Sequence, residues 1–68
     1  VGQALRQHRQ AAGLSQESLA DRAGLHRTAV SLIERGQRSP SVETLQRICA
    51  ALGIPVSRLL SDAEGLLS

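Results

Sequence analysis

The sequence contains no Phe, Tyr, Trp, Met or Lys, and only one cysteine, Cys49, in 68 residues. Without aromatics or methionine, a core must be filled by Leu, Ile, Val and Ala. Short helices packed through small residues suit that composition, and no run of β-branched and aromatic residues marks a strand. A single cysteine excludes an intrachain disulfide, and no Cys/His spacing suits a metal. The longest apolar stretches fall far short of a bilayer span, and no signal-peptide pattern stands out. A cytoplasmic protein with no membrane contact and no cofactor is the expectation. The first residue is Val1 and not Met, which points to a cropped or processed chain. The length permits one small domain with an economical core.

Charge is what the sequence does have. All eight cations are arginines, and all of them precede residue 62, together with four of the six acids; residues 1–61 therefore carry +4 with histidine neutral. That is a moderate cationic surface suited to a phosphate partner. Arginine favours forked contacts to phosphate or guanine. A coding bias toward arginine codons accounts for the same usage equally well.

Along the chain, residues 1–12 read as helix 1. Leu5 faces the core, Ala12 can join it two turns on, and Gln3, Arg6, Gln7 and Gln10 cover the outside. Gly13 ends the helix as a left-handed cap and Leu14 packs back. Ser15 is the N-cap of helix 2, with Glu17 in its first turn. Ser18 stands where a capping box wants Glu or Gln, so the cap is partial.

Residues 16–35 read as two short helices hinged at Gly24. Leu19 and Ala23 lie one turn apart on the first, and Val30 and Ile33 three apart on the second. Leu25 can fill the angle between them, and Ala20 is small enough to let the second helix approach. His26 takes the N-cap position of helix 3, over 27–35, and Gly36 ends it. This pattern is a helix-turn-helix, with its second helix free to enter a DNA major groove.

Residues 37–40 form a polar loop closed by Pro40. Ser41 caps helix 4, where Leu45, Ile48, Cys49 and Leu52 form the most regular apolar stripe in the chain. Gly53 ends it. Ile54 and Pro55 lead into a short helix 5 with Val56, Leu59 and Leu60 as its apolar positions. Residues 62–68 are expected to be a C-terminal tail carrying Leu66 and Leu67. Cys49 is expected to be a buried small hydrophobe, and His8 a surface residue.

The segments Gly13-Leu14-Ser15-Gln16-Glu17, Leu19-Ala20, Ala23-Gly24-Leu25, Val30, Ile33-Glu34-Arg35-Gly36 and Pro40 stand at fixed spacing across two helices and their flanks. Ala50, Leu52-Gly53 and Leu59-Leu60 extend the pattern. In these residues the chain resembles the phage-repressor-like helix-turn-helix regulators, the Cro/CI or XRE family, over all but its tail. Residues 26–35 are also similar to controller proteins of restriction–modification systems. The resemblance implies an all-α fold: a compact five-helix, lambda-repressor-like DNA-binding domain over residues 1–61, with helices 2 and 3 as the reading pair. It also implies a homodimer on a roughly palindromic operator in double-stranded DNA, with half-sites about 34–36 Å apart.

Candidate contact residues follow. Gln16 opens helix 2, where its backbone N–H and side-chain amide can both donate to a phosphate; the family places Gln here for that purpose. Arg27 and Thr28 open helix 3. Arg27 can span guanine O6 and N7, or grip a phosphate without reading a base. Thr28 can donate to a base or phosphate, or lay its methyl on thymine. Ser31 and Leu32, one turn on, lie off the Val30/Ile33 stripe. Leu32, where many relatives have a polar residue, can meet a thymine methyl or pack against helix 2 or helix 4. His26 can cap or touch a phosphate, and capping is the expectation. Arg35, Arg38 and Ser39 should flank the groove as phosphate contacts. Glu34 meets the unfavourable end of the helix 3 dipole, which a cation would relieve. Several repressors of the family pair these positions, so a partly buried Arg9–Glu34 ion pair with a structural role is expected.

The leading function is a sequence-specific DNA-binding transcriptional regulator. The alternatives are an antitoxin-type module that holds a protein partner, or the DNA-binding half of a longer ligand-sensing regulator. No nucleophile–base pair or metal set suggests an enzyme. Ile54-Pro55, helix 5 and Leu66-Leu67 are the spare apolar groups for a symmetric dimer contact.

Overall fold

Caps set the helix boundaries. Ser15 and Ser41 each accept a hydrogen bond at Oγ from the backbone N–H three residues on, Ser18 and Thr44 respectively. At the other ends, Gly13, Gly24, Gly36 and Gly53 all take positive φ. After each, the next residue's N–H returns five residues, as from Leu14 to the Arg9 carbonyl and from Leu25 to that of Ala20. That bond satisfies a carbonyl the helix end would leave open, and it turns the following residue back toward the core. Leu14, Leu25 and Ile54 all pack there.

The computed structural model describes the backbone of residues 1–67 and the side chains of residues 1–64. It contains five helices: α1 (Gly2–Ala11), α2 (Gln16–Ala23), α3 (Arg27–Glu34), α4 (Val42–Leu52) and α5 (Val56–Leu67). α2 lies against α3 and α4, α1 against α3 and α5, and α4 against α5. Leu5, Leu19, Ile48 and Leu59 are fully buried at the centre. Each such burial stabilises by about 1.5–3 kcal/mol relative to exposure. Ala20, Ala23 and Ala4 let backbones approach around them, and Cys49 completes the centre as a buried thiol. Burial pushes its pKa up, because the interior disfavours a thiolate.

The structure corrects several expectations. Ala12 is exposed; it is the C-cap of α1, and Leu14 covers the core position beyond it. α5 continues past residue 61 through Leu67, with Ala63 buried, where a tail was expected from residue 62. The spacing Leu59–Ala63 is one helical turn, so the small Ala63 extends the buried stripe. His8 is half-buried rather than a surface residue, with its Nε2 2.6 Å from the Asp62 Oδ2 on that same extension. Leu60 is 41% exposed. The side chains of Leu66 and Leu67 lie outside the described residues.

Gly2 has a role that no sequence pattern announces. A Cβ placed there would overlap the carbonyl oxygens of Ile33 and Glu34, the latter at 2.6 Å. The start of α1 is thus pressed onto the end of α3. Among the described residues, no helix is long and apolar enough to cross a membrane.

Candidate nucleic-acid interface

The two helices of the candidate reading unit meet at Gly24, whose φ of 70° and ψ of 35° reverse the chain after α2. An L-residue with a Cβ rarely holds that conformation, and glycine holds it without steric cost. Leu25 then fills the angle, and α3 lies across α2 with Val30 and Ile33 inward.

That orientation turns the other side of α3 outward. Arg27 and Thr28 are exposed, and with Ser31 and Arg35 they line one shallow surface depression. Leu32 is half-buried. Arg35 is the C-cap residue of α3, and its Nε donates to the Ser31 carbonyl at 3.4 Å. Arg38 and Ser39 are exposed in the loop that follows. Among the described residues no carboxylate pairs with Arg27, Arg35 or Arg38, so their charge faces solvent. By contrast Arg47 is tied to Glu43 at 2.9 Å and Arg58 lies 3.6 Å from Asp62.

His26 occupies the N-cap position of α3 with extended backbone, but its side chain makes no capping hydrogen bond. The hydroxyl capping that Ser15 and Ser41 give α2 and α4 is therefore not reproduced at α3. Among the described residues the N–H groups of Arg27 and Thr28, at the exposed end of α3, have no capping partner. A helix N-terminus with free N–H groups favours an anion.

Arg9, buried on α1, spans the interior behind this face. Its Nε donates to Glu34 Oε2 at 2.7 Å and its Nη2 to Glu34 Oε1 at 3.1 Å. Its Nη1 donates to the Leu14 carbonyl at 2.9 Å. The side chains of Arg9 and Glu34 are 11% and 2% exposed. The hydrogen bond to Glu34 holds the Arg9 pKa above its usual value, against the opposing effect of burial. Glu34 Oε1 also accepts from Gln16 Nε2 at 3.2 Å, so Gln16 is half-buried and tied to the end of α3. Neither Gln16–Glu34 spacing nor helix periodicity signals that third bond; only the crossing of α2 and α3 brings the two together. Among the described residues, every buried side-chain nitrogen and oxygen finds a hydrogen-bond partner. No group of three or more His, Cys, Asp or Glu among them could hold a metal ion.

Comparison with known proteins agrees with this geometry. A family model described as "Helix-turn-helix" matches residues 5–59. The control protein C.MunI of Mycoplasma sp is 51% identical over 51 residues, covering 75% of this chain and 69% of that protein. Other curated relatives are longer, and the chain spans only 34% of one of them. The crystal structure of the restriction-modification controller protein C.AhdI from Aeromonas hydrophila superposes with a TM-score of 0.84 at 46% identity, over 85% of this chain and 88% of that one. The master regulator for biofilm formation SinR, in complex with DNA, superposes with a TM-score of 0.83 at 37% identity, over 87% and 95%.

Proposed function

This chain belongs to the helix-turn-helix family, in its phage-repressor-like XRE branch, and from that premise we propose that it is the sequence-specific DNA-binding domain of a transcriptional regulator. It acts by binding rather than by catalysis, and in the cytoplasm. The outward face of α3 enters the major groove, where Arg27, Thr28 and Ser31 meet base edges and Leu32 lies beside them. Gln16, Arg35, Arg38 and Ser39 hold the flanking phosphates. The observation that carries this reading is the outer face of α3 itself: Arg27, Thr28, Ser31 and Arg35 share one depression, and among the described residues no carboxylate pairs with its arginines. The DNA-bound state of the similar SinR supports it.

Two copies on a palindromic operator would place their α3 helices about 34–36 Å apart, one DNA turn. Leu60, exposed on α5, with half-buried Ile54 and Val56 before it, supplies apolar surface for such a symmetric contact. Selection from randomised duplex DNA tests the reading. Enrichment of a two-fold symmetric sequence with that spacing is expected; a chain that enriches nothing would instead be a protein-interaction module on the same fold.

A further inference from the structure

All three side-chain hydrogen bonds of Arg9 bear on the first residue of α2. Nη1 holds the carbonyl of Leu14, two residues before Gln16. Nε and Nη2 hold the Glu34 carboxylate, and that carboxylate takes the Gln16 amide as its third partner. Backbone and side chain at the start of α2 are therefore fixed from one buried guanidinium. Ser15 Oγ accepts the Ser18 N–H, and the N–H groups of Gln16 and Glu17 have no partner among the described residues.

An amide nitrogen carries two hydrogens. One on Gln16 is committed to Glu34, so the direction of the other is set. A free glutamine side chain gives up rotamer freedom when it binds, and this one has already given it up in the unbound chain. A bare carboxylate at this place would repel an approaching phosphate; Arg9 cancels its charge.

Resting on the DNA-binding reading above, we infer that Glu34, backed by Arg9, is a positioning residue for phosphate capture: it holds the Gln16 amide ready to donate its second N–H to the DNA backbone. The buried ion pair then serves binding as well as stability, and it acts through Gln16 alone.

A double-mutant cycle on the selected duplex tests this. Glu34→Gln nearly keeps the shape but offers one oxygen; the carboxylate gives Oε2 to Arg9 Nε and shares Oε1 between Arg9 Nη2 and Gln16 Nε2, so in the variant Arg9 and Gln16 compete for the single oxygen that remains. Glu34→Gln and Gln16→Ala are each expected to weaken binding about tenfold, evenly across base substitutions in the site. The double variant should bind no more weakly than Gln16→Ala alone. Losses that multiply to about a hundredfold would overturn the assignment, as independent effects do; so would a folded Glu34→Gln that binds at full strength. Circular dichroism establishes folding for each variant. If Glu34→Gln does not fold, relaxation of the Gln16 side-chain amide in the free unmodified chain decides: backbone-like order supports the inference, and fast motion overturns it. A chain that selects no duplex ends the functional reading, whereas additive losses in a chain that does bind end only the role given to Glu34.

Discussion

The imidazole of His8 on α1 meets the carboxylate of Asp62 on α5 at 2.6 Å, and together they clasp the C-terminal half of α5 to the first helix. Arg58, one turn before Asp62, lies 3.6 Å from the same oxygen. His8 is 20% exposed and Asp62 40%, so water screens the pair and its contribution is small. Asp62→Asn should lower stability by about 0.2–1 kcal/mol, read from chemical denaturation. His8→Ala added to it should cost little more, since the shared contact is already gone.

That clasp was not legible in the sequence, and the reason is physical. Local patterns report caps and faces within a helix: Ser15, Ser41, Gly24 and the Leu45–Leu52 stripe all carry such signals, and each helix start lies within a residue of where those signals place it. Residues 62–64 place the small buried Ala63 between two acids, so their helical face is too faint to separate from a tail. His8 meets Asp62 across 54 positions, and Gln16 meets Glu34 across 18; neither distance has a period. The outward placement of Arg27 and Thr28 was legible, because Val30 and Ile33 define the inward side of the same helix. The side chain of His26 misled, since its position in the chain suits a cap and its geometry does not.

Gly2 tests the packing of α1 on α3. Gly2→Ala places a methyl against the carbonyls of Ile33 and Glu34, which are backbone and cannot swing away. Despite the better helix propensity of alanine, the substitution should destabilise by about 1–3 kcal/mol through overpacking. A melting temperature at or above the parent's would show that α1 slides without cost.

Cys49 gives a pH dependence. Its folded pKa is raised by burial. The unfolded thiol loses its proton first, so this contribution is whole below the unfolded value, about 8.5. It fades as the pH climbs through the higher folded value. Denaturation midpoints should fall between pH 8 and pH 10 by more than in Cys49→Ala. At neutral pH a thiol reagent should react with Cys49 only as fast as the chain opens; prompt reaction in the native state would contradict its burial.

Arg9 and Glu34 should behave asymmetrically toward single and paired substitution. Arg9→Met leaves the Glu34 carboxylate buried with Gln16 as its remaining partner. Loss of about 3–5 kcal/mol is expected, since a buried charge has lost its counterion. Arg9→Met combined with Glu34→Leu removes both charges and should be the more stable of the two variants in urea titrations. The reverse order would mean that the carboxylate reaches water without the arginine.

Arg27 and Arg38 separate base reading from phosphate attraction. Both are exposed and free of carboxylates among the described residues, but Arg27 opens α3 and Arg38 stands in the loop after it. On the proposed reading, Arg38→Ala removes one phosphate contact. It should weaken binding to all duplexes alike and reduce the slope of log K against log salt by about 0.9. Arg27→Ala should cost about 1–3 kcal/mol on the selected duplex and less on one altered at the base it reads, so discrimination at that position collapses. Titrations of both variants at several salt concentrations, on matched and altered duplexes, measure the two effects together. If Arg27→Ala lowers affinity for every duplex equally and changes the salt slope as Arg38→Ala does, then Arg27 grips the backbone, and base reading falls to Thr28 and Ser31.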